Sequence, residues 1–298
     1  MAFIEARQVS KAFPAASGVH EVLRDVALSV DRGEFVAIVG AMGSGKSTLL
    51  NLLAGLLVPD RGTIEVDGAP VRGVRQDAAV VFQSYSLLPW FSALENVRLA
   101  VDAAFPRRSK AEQRAQATRM LELVGLASAL QRRPGQLSGG MRQRVAIARA
   151  FAIEPDLLFL DEPFGALDAL TRDALQQELA RLCGSTGRPV TTVMITNNVE
   201  EAIVLADRIV PLSRGRRATL GASIPVTLQR PRSTARLLHD PAALRVRSTI
   251  IEALTEGSGR TMRARPGAAT EAEREPGATY DVPLNADRPS LIRAGGQG

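Results

Sequence analysis

A glycine-rich octapeptide between a buried strand and a buried helix limits what this chain can become more than any other feature. Residues 40–47 read Gly40-Ala41-Met42-Gly43-Ser44-Gly45-Lys46-Ser47 and fit the pattern G-x-x-x-x-G-K-[ST]. Residues 34–39 before it are apolar after Glu34, which predicts a strand buried on both faces. Residues 47–57 after it are apolar enough for a buried helix. In that order, the glycines let successive backbone N–H groups turn inward around a phosphate, and the helix N-terminus adds its dipole. Gly40, Ala41, Met42, Gly43, Ser44, Gly45, Lys46, Ser47 and Thr48 are therefore expected to cradle the phosphates of a nucleotide. Lys46 would reach the β- and γ-phosphates, and the Ser47 hydroxyl would bind Mg²⁺. The competing reading is a glycine-rich turn that happens to contain a lysine. Only Lys11, Lys46 and Lys110 among the 37 basic residues are lysine, and the loop uses one of them.

The rest of the chain supplies a second half for such a site. Residues 157–160 are four apolar residues that predict a buried strand, and the next two are Asp161 and Glu162. A buried strand ending beside the phosphate loop would let Asp161 hold Mg²⁺ through water. Glu162 would then face the γ-phosphate, orient the attacking water and accept its proton. Short strands are also expected at 3–9, 26–30, 63–66, 79–82, 190–196 and 208–212. Between about 87 and 152 the pattern turns helical. Ser109 and Glu112 form a capping box before a helix to about 124, and another helix follows Ser138-Gly139-Gly140. Helices are also expected at 168–182 and 199–206. This alternation predicts an α/β fold with a mainly parallel sheet and an inserted helical segment.

Composition closes off other classes. Residues 1–210 hold 23 Lys+Arg and 23 Asp+Glu, so the whole net charge of +6 falls in residues 211–298. With aromatics at only 4%, the neutral body offers no stacking platform, and nucleic acid is not expected as a partner. The longest apolar stretch, 49–58, is interrupted by Asn51 and is well short of the roughly 18–20 residues that span a bilayer. The N-terminal residues lack the order of charge, apolar run and small residues that marks a signal peptide. A soluble chain made in the cytoplasm is the expectation. The single cysteine, Cys183, reads as a small buried apolar residue rather than a reactive thiol.

One more segment narrows the choice among nucleotide-binding proteins. Leu137-Ser138-Gly139-Gly140-Met141-Arg142-Gln143-Arg144 resembles the signature of ABC ATPases, some twenty residues before the Asp-Glu pair. Gln83 resembles that family's Q-loop glutamine, and Gly165-Ala166-Leu167-Asp168 resembles its D-loop. Phe13 resembles the aromatic that stacks on adenine, a core phenylalanine being the alternative. The resemblance covers about residues 3–212. It implies a P-loop NTPase fold of the ABC ATPase type, a mainly parallel core with an N-terminal antiparallel β subdomain and a helical subdomain at about 87–152. It also implies ATP and Mg²⁺ as cofactors, with Ser47, Gln83 and Asp161 at the metal. Ser138, Gly139 and Gly140 would cover the nucleotide of a second subunit in a head-to-tail homo- or heterodimer. Residues 3–233 would form the ATPase domain, and 234–298 an extension that reads as largely disordered from about 257.

Within the family, Ser86-Leu87-Leu88-Pro89-Trp90 followed by Glu95-Asn96-Val97 resembles the ATPases of nitrate, sulfonate and taurine importers. That implies a peripheral subunit on the cytoplasmic side of the bacterial inner membrane. A permease would dock its coupling helix on the segment after Gln83, and a periplasmic solute-binding protein would act indirectly. Trp90 reads equally well as a contact anchor or a packed core residue.

The sequence departs from the family at one position. Where a histidine that contacts the γ-phosphate is usual, this chain has Asn197, followed by Asn198. Asparagine keeps an N–H donor but can neither take nor give a proton. Two readings follow, a slower or differently wired ATPase and a site that binds ATP with little turnover. A non-transport ABC ATPase is the remaining alternative. The arginines at 214, 216, 217, 230, 232 and 236 read either as a solvated extension or as a surface steered toward acidic lipid.

Overall fold

A computed structural model describes residues 2–15, 18–165, 167–184 and 189–259, with side chains to residue 255. Two sheets carry the fold. β1 (Ile4–Ala15), β2 (Gly18–Val30), β4 (Arg61–Val66) and β5 (Ala69–Pro70) form an antiparallel sheet in the order β2-β1-β4-β5. The second sheet runs β10-β9-β3-β8-β7-β6. Its strands β3 (Phe35–Val39), β6 (Ala78–Val81), β7 (Leu157–Asp161), β8 (Thr191–Thr196) and β9 (Arg208–Pro211) are parallel, and only β10 (Ile224–Pro225) is antiparallel.

The parallel sheet is buried on both faces, and strand alternation sorts its side chains between two cores. Phe35, Ala37 and Val39 of β3, with Leu158, Leu160 and Met194, join the core under the helical subdomain. Val36 and Ile38, with Leu157, Phe159, Val193 and Ile195, join the core shared with the antiparallel sheet and α1 (Lys46–Leu53). Buried parallel strands carry no polar alternation, which is why residues 157–160 and 35–39 read as unbroken apolar runs.

The helical subdomain contains α2 (Ala93–Ala104), α3 (Lys110–Leu123) and α4 (Gly139–Phe151). The expected capping box at Ser109 and Glu112 is present, with Glu112 N donating to Ser109 Oγ at 3.3 Å and Ser109 N donating to Glu112 Oε2 at 2.7 Å. α5 (Ala169–Gly184), α6 (Val199–Leu205), α7 (Thr234–Leu237) and α8 (Pro241–Gly259) follow among the described residues.

Three expectations change. The helix after the phosphate loop ends at Leu53, not Leu57, because Gly55 takes a left-handed φ of 73°, at a place where a Cβ would sit 2.2 Å from the Gly73 carbonyl oxygen. The segment from Leu87 is not helical until Ala93, where the Ser92–Glu95 capping box starts α2. Residues 257–259 form the end of α8 rather than an unordered tail, and the rest of that expected tail lies outside the described residues. α8 packs on α6, burying Ala243 and Ile250 completely or nearly so.

Candidate functional site

Strand register brings the sequence-predicted residues to one edge. Val39 lies opposite Thr196, and Asp161 opposite Ile195, so the loops after β3, β7 and β8 leave the sheet side by side at its carboxyl end. β6, next to β7, delivers Gln83 to the same edge.

The loop between β3 and α1 holds its lysine inward. Lys46 is only 4% exposed, and its ammonium donates to the carbonyls of Gly40 at 3.1 Å and Ala41 at 3.0 Å. It lies 3.5 Å from Glu162 Oε1. Gly45, the N-cap of α1, has a φ of 95° and no side chain to satisfy the first helical N–H groups. A Cβ there would sit 2.7 Å from Val22 Cγ1, so glycine is required twice over. Ser44 Oγ is buried in the same loop without a hydrogen-bond partner. An uncapped helix start, a buried cation and an orphaned hydroxyl are what an anionic ligand would complete.

The acidic pair is held by equally local means. Ser47 Oγ donates to Asp161 Oδ1 at 3.2 Å, so hydroxyl and carboxylate stand close enough to share a cation. Burial raises the Asp161 carboxyl above its ordinary value. The Ser47 hydrogen bond opposes that shift, and the neighbouring Glu162 charge adds to it. Glu162 has a left-handed φ of 43°, rare for a residue with a side chain and typically costing about 1–3 kcal/mol. Its N–H bonds the Ile195 carbonyl at 3.0 Å, and its carboxylate meets both Lys46 and, at 3.3 Å, the amide of Gln83. Among the described residues no cluster of three or more His, Cys, Asp or Glu side chains forms a metal cage. A Ser hydroxyl, one carboxylate and an amide suit Mg²⁺ shared with phosphate oxygens.

A cleft of about 430 Å³ at this edge is lined by Lys46, Ser47, Thr48, Gln83 and Glu162 and, from the antiparallel sheet, by Phe13 of β1 and His20 of β2. Phe13 is half-buried and faces the cleft, so it is not a core residue. The β1–β2 register sets His20 directly opposite it. Nothing in the sequence assigns His20 to the site, and Asp60 supports the site from outside the cleft. Asp60 accepts from Lys11 Nζ and from Ala12 N, both at 2.7 Å, and so fixes the two residues before Phe13. Lys11 Nζ stands 5.6 Å from the Phe13 ring centroid. The fold alone reveals that Asp60, just before β4, grips Lys11 and Ala12 of β1.

Ser138, Gly139 and Gly140 open α4 and are not among the residues lining this cleft. Ser138 is exposed and its Oγ accepts from Met141 N at 3.2 Å. Asp168 caps α5 by accepting from Thr171 N at 3.0 Å, which holds its carboxyl below the usual range. Asn197 is exposed and lines a separate cavity of about 380 Å³ with Gly40, Ala41, Arg214 and Thr255. Asn198 instead caps α6, accepting from Glu201 N at 3.1 Å.

Outside the cleft, Trp90 is 62% exposed and touches Phe91 edge-on, which removes the packed-core reading. Its loop is pinned by the buried Asn96, whose amide donates to the carbonyls of Leu88, Phe91 and Ser92. Cys183 is a core thiol, pushed up to about 12 by burial. The arginine run is only partly solvated. Arg232 is 8% exposed and donates four hydrogen bonds, to the carbonyls of Leu228, Ile203, Ala206 and Val226. Burial lowers its pKa to about 10.

Fold and site together define a nucleotide-binding cassette with the P-loop, carboxylate pair and signature helix of one ATPase class. The chain belongs to the ABC transporter family of ATP-binding proteins. Residues 23–165 match the family model described as ABC transporter. The chain is 45% identical over 253 residues to the bicarbonate transport ATP-binding protein CmpD of Synechocystis sp., covering 85% of this chain and 89% of that one. It is 48% identical over 246 residues to the nitrate import ATP-binding protein NrtD of Synechococcus elongatus, covering 83% and 89%. Among solved structures it is similar to the dimeric ATP-binding cassette MJ0796 bound to ADP and Pi. That likeness has a TM-score of 0.68 and 31% identity, over 76% of this chain and all of the other. No helix among the described residues is long and apolar enough to cross a membrane.

Proposed function

We propose that this chain binds and hydrolyses ATP as the motor subunit of a bacterial importer for a small inorganic anion, nitrate or bicarbonate being the favoured solutes. The observation that carries the reading is the meeting of Lys46, Glu162 and Gln83, with Ser47 and Asp161 beside them, at a cleft that Phe13 also lines. The names of the CmpD and NrtD relatives support the solute class.

In this mechanism Phe13 stacks on adenine, and the backbone of residues 40–48 surrounds the phosphates. Lys46 turns its ammonium from the Gly40 and Ala41 carbonyls to the phosphate oxygens. Ser47 and Asp161 would hold Mg²⁺, with Gln83 beside it, and the ion would supply charge neutralisation on the phosphates. Glu162 orients a water and takes its proton at the carboxylate. Asn197 offers an amide N–H toward the γ-phosphate, a donor without proton transfer.

Ser138 and the glycines after it serve a partner's nucleotide, so a second cassette, identical or related, is part of the active unit. Two strongly exposed apolar side chains support a covered surface: Met42 of the phosphate loop is 83% exposed and Leu170 at the start of α5 is 85% exposed. The exposed Trp90 supports contact with a permease, and in this reading the subunit is peripheral on the cytoplasmic face of the membrane. Residues 3–233 are the ATPase domain in this reading. The test is Mg²⁺-dependent hydrolysis by the purified chain against Glu162→Gln. Phosphate release well above that variant, alone or assembled with its membrane partners, supports the reading, and equal release in both states with ATP bound sinks it.

A further inference from the structure

Two arginines on one face of α4 grip the loop that carries Gln83. Arg149 donates from Nη1 to the Ser86 carbonyl at 2.6 Å and from Nη2 to the Tyr85 carbonyl at 2.8 Å. Arg142, two turns earlier, sets its guanidinium 5.7 Å from the Tyr85 ring centroid. Tyr85 and Ser86 both take left-handed backbone angles, φ 63° and 47°, although neither is glycine. Two such residues in succession persist only where the surroundings hold them.

The fork of Arg149 is suited to that task. A planar guanidinium fixes two adjacent carbonyls in one geometry, which an ammonium cannot do. Arg149 is half-buried and makes no ion pair among the described residues, so backbone carbonyls alone face its charge. Burial without a counter-ion also holds its pKa below the ordinary value. The loop it fixes begins at Gln83, whose amide meets Glu162. The helix it belongs to begins at Ser138.

We propose that Arg149, supported by Arg142, is a positioning residue for Gln83. The pair joins residues 83–86 to α4, so that Gln83 and the Ser138 end of the helix are oriented as one body. The proposal rests on the reading of Gln83 as a ligand to Mg²⁺ and the γ-phosphate.

The test is ATP affinity by calorimetry, with Mg²⁺ and with EDTA, in the full chain carrying Glu162→Gln. Adding Arg149→Lys should weaken Mg²⁺-dependent binding about tenfold while leaving affinity in EDTA within about twofold. Adding Gln83→Ala should give the same loss, and the combined variant no more than Gln83→Ala alone, because the two act through one contact. Mg²⁺-dependent binding that survives Arg149→Lys but not Gln83→Ala overturns the proposal, as do losses that multiply. No loss in Gln83→Ala overturns the reading of Gln83 and the proposal with it. If Arg149→Lys does not fold, Arg142→Gln carries the test. A loss of about twofold or more in the same Mg²⁺-dependent term is then expected, and unchanged binding overturns the proposal.

Discussion

Replacing Phe13 by alanine should weaken ATP binding about tenfold and leave the turnover number nearly unchanged. The size follows from the ring's surroundings. Base–aromatic stacking is typically worth about 1–3 kcal/mol by alanine substitution. Phe13 is half-buried, and Lys11 Nζ stands 5.6 Å from its centroid, so one ring face at most is free for adenine. The lower part of the range applies, about 1.4 kcal/mol, which is a tenfold change in Kd. Phe13 lies on β1 of the antiparallel sheet, whereas Lys46 and Glu162 follow β3 and β7 of the parallel sheet, so the contact is made equally in ground and transition states and belongs in KM. The assay is calorimetric ATP binding to the wild type, Phe13→Ala and Phe13→Tyr, with tripolyphosphate as a control ligand without a base. Phe13→Tyr should bind ATP like the wild type, and tripolyphosphate should not distinguish the three. An ATP affinity unchanged in Phe13→Ala, or an equal loss for tripolyphosphate, would refute the stacking argument.

Three further outcomes are expected. Arg232→Ala strips four hydrogen bonds from backbone carbonyls, two of them, those of Ile203 and Ala206, at the end of α6. It should cost about 3 kcal/mol and lower Tm by about 10 °C in a thermal melt, and a shift under 2–3 °C would contradict the assigned clamp. Asp161 carries a raised carboxyl pKa because folding desolvates it. Its folded pKa therefore lies above the unfolded one, and the ionised form weighs against folding above that folded pKa. Asp161→Asn should raise Tm at pH 7 while abolishing Mg²⁺-dependent hydrolysis, and the gain should fade as pH falls below the unfolded aspartate pKa. In the wild type the acid limb of hydrolysis should begin above the ordinary aspartate range and retreat to lower pH in excess Mg²⁺, since metal and proton compete. Asn197→His fits the roomy cavity beside Gly40 and Ala41 and should raise turnover up to about tenfold, less than the 10²–10³ expected where a donor is absent altogether. A fall in phosphate release would instead mark Asn197 as tuned to this site.

The chemistry of the site was legible because it is local. The phosphate loop needs its glycines, lysine and serine in consecutive positions, and a buried strand must end somewhere, here at Asp161 and Glu162. The capping box at Ser109 and Glu112 is likewise a signal confined to four consecutive residues. What could not be read depends on distant partners. Phe13 faces the cleft because of the β1–β2 register and the grip of Asp60 on Lys11 and Ala12, nearly fifty residues apart in sequence. Arg232 looked like part of a solvated basic run because nothing near it in sequence announces the open carbonyls of α6. α8 was missed because its apolar positions, including the buried Ala243 and Ile250, sit among Arg, Ser, Thr and Glu that weaken its periodicity.

The central claim is that Lys46, Ser47, Asp161 and Glu162 form a hydrolytic centre that works with Asn197 in place of a histidine. Phosphate release from MgATP by the purified full-length chain, alone and with its membrane partners, measured beside Glu162→Gln, tests it most directly. The account predicts release well above the variant in at least the assembled state, with both proteins binding ATP. Equal release from the two in both states, with ATP bound, would contradict it.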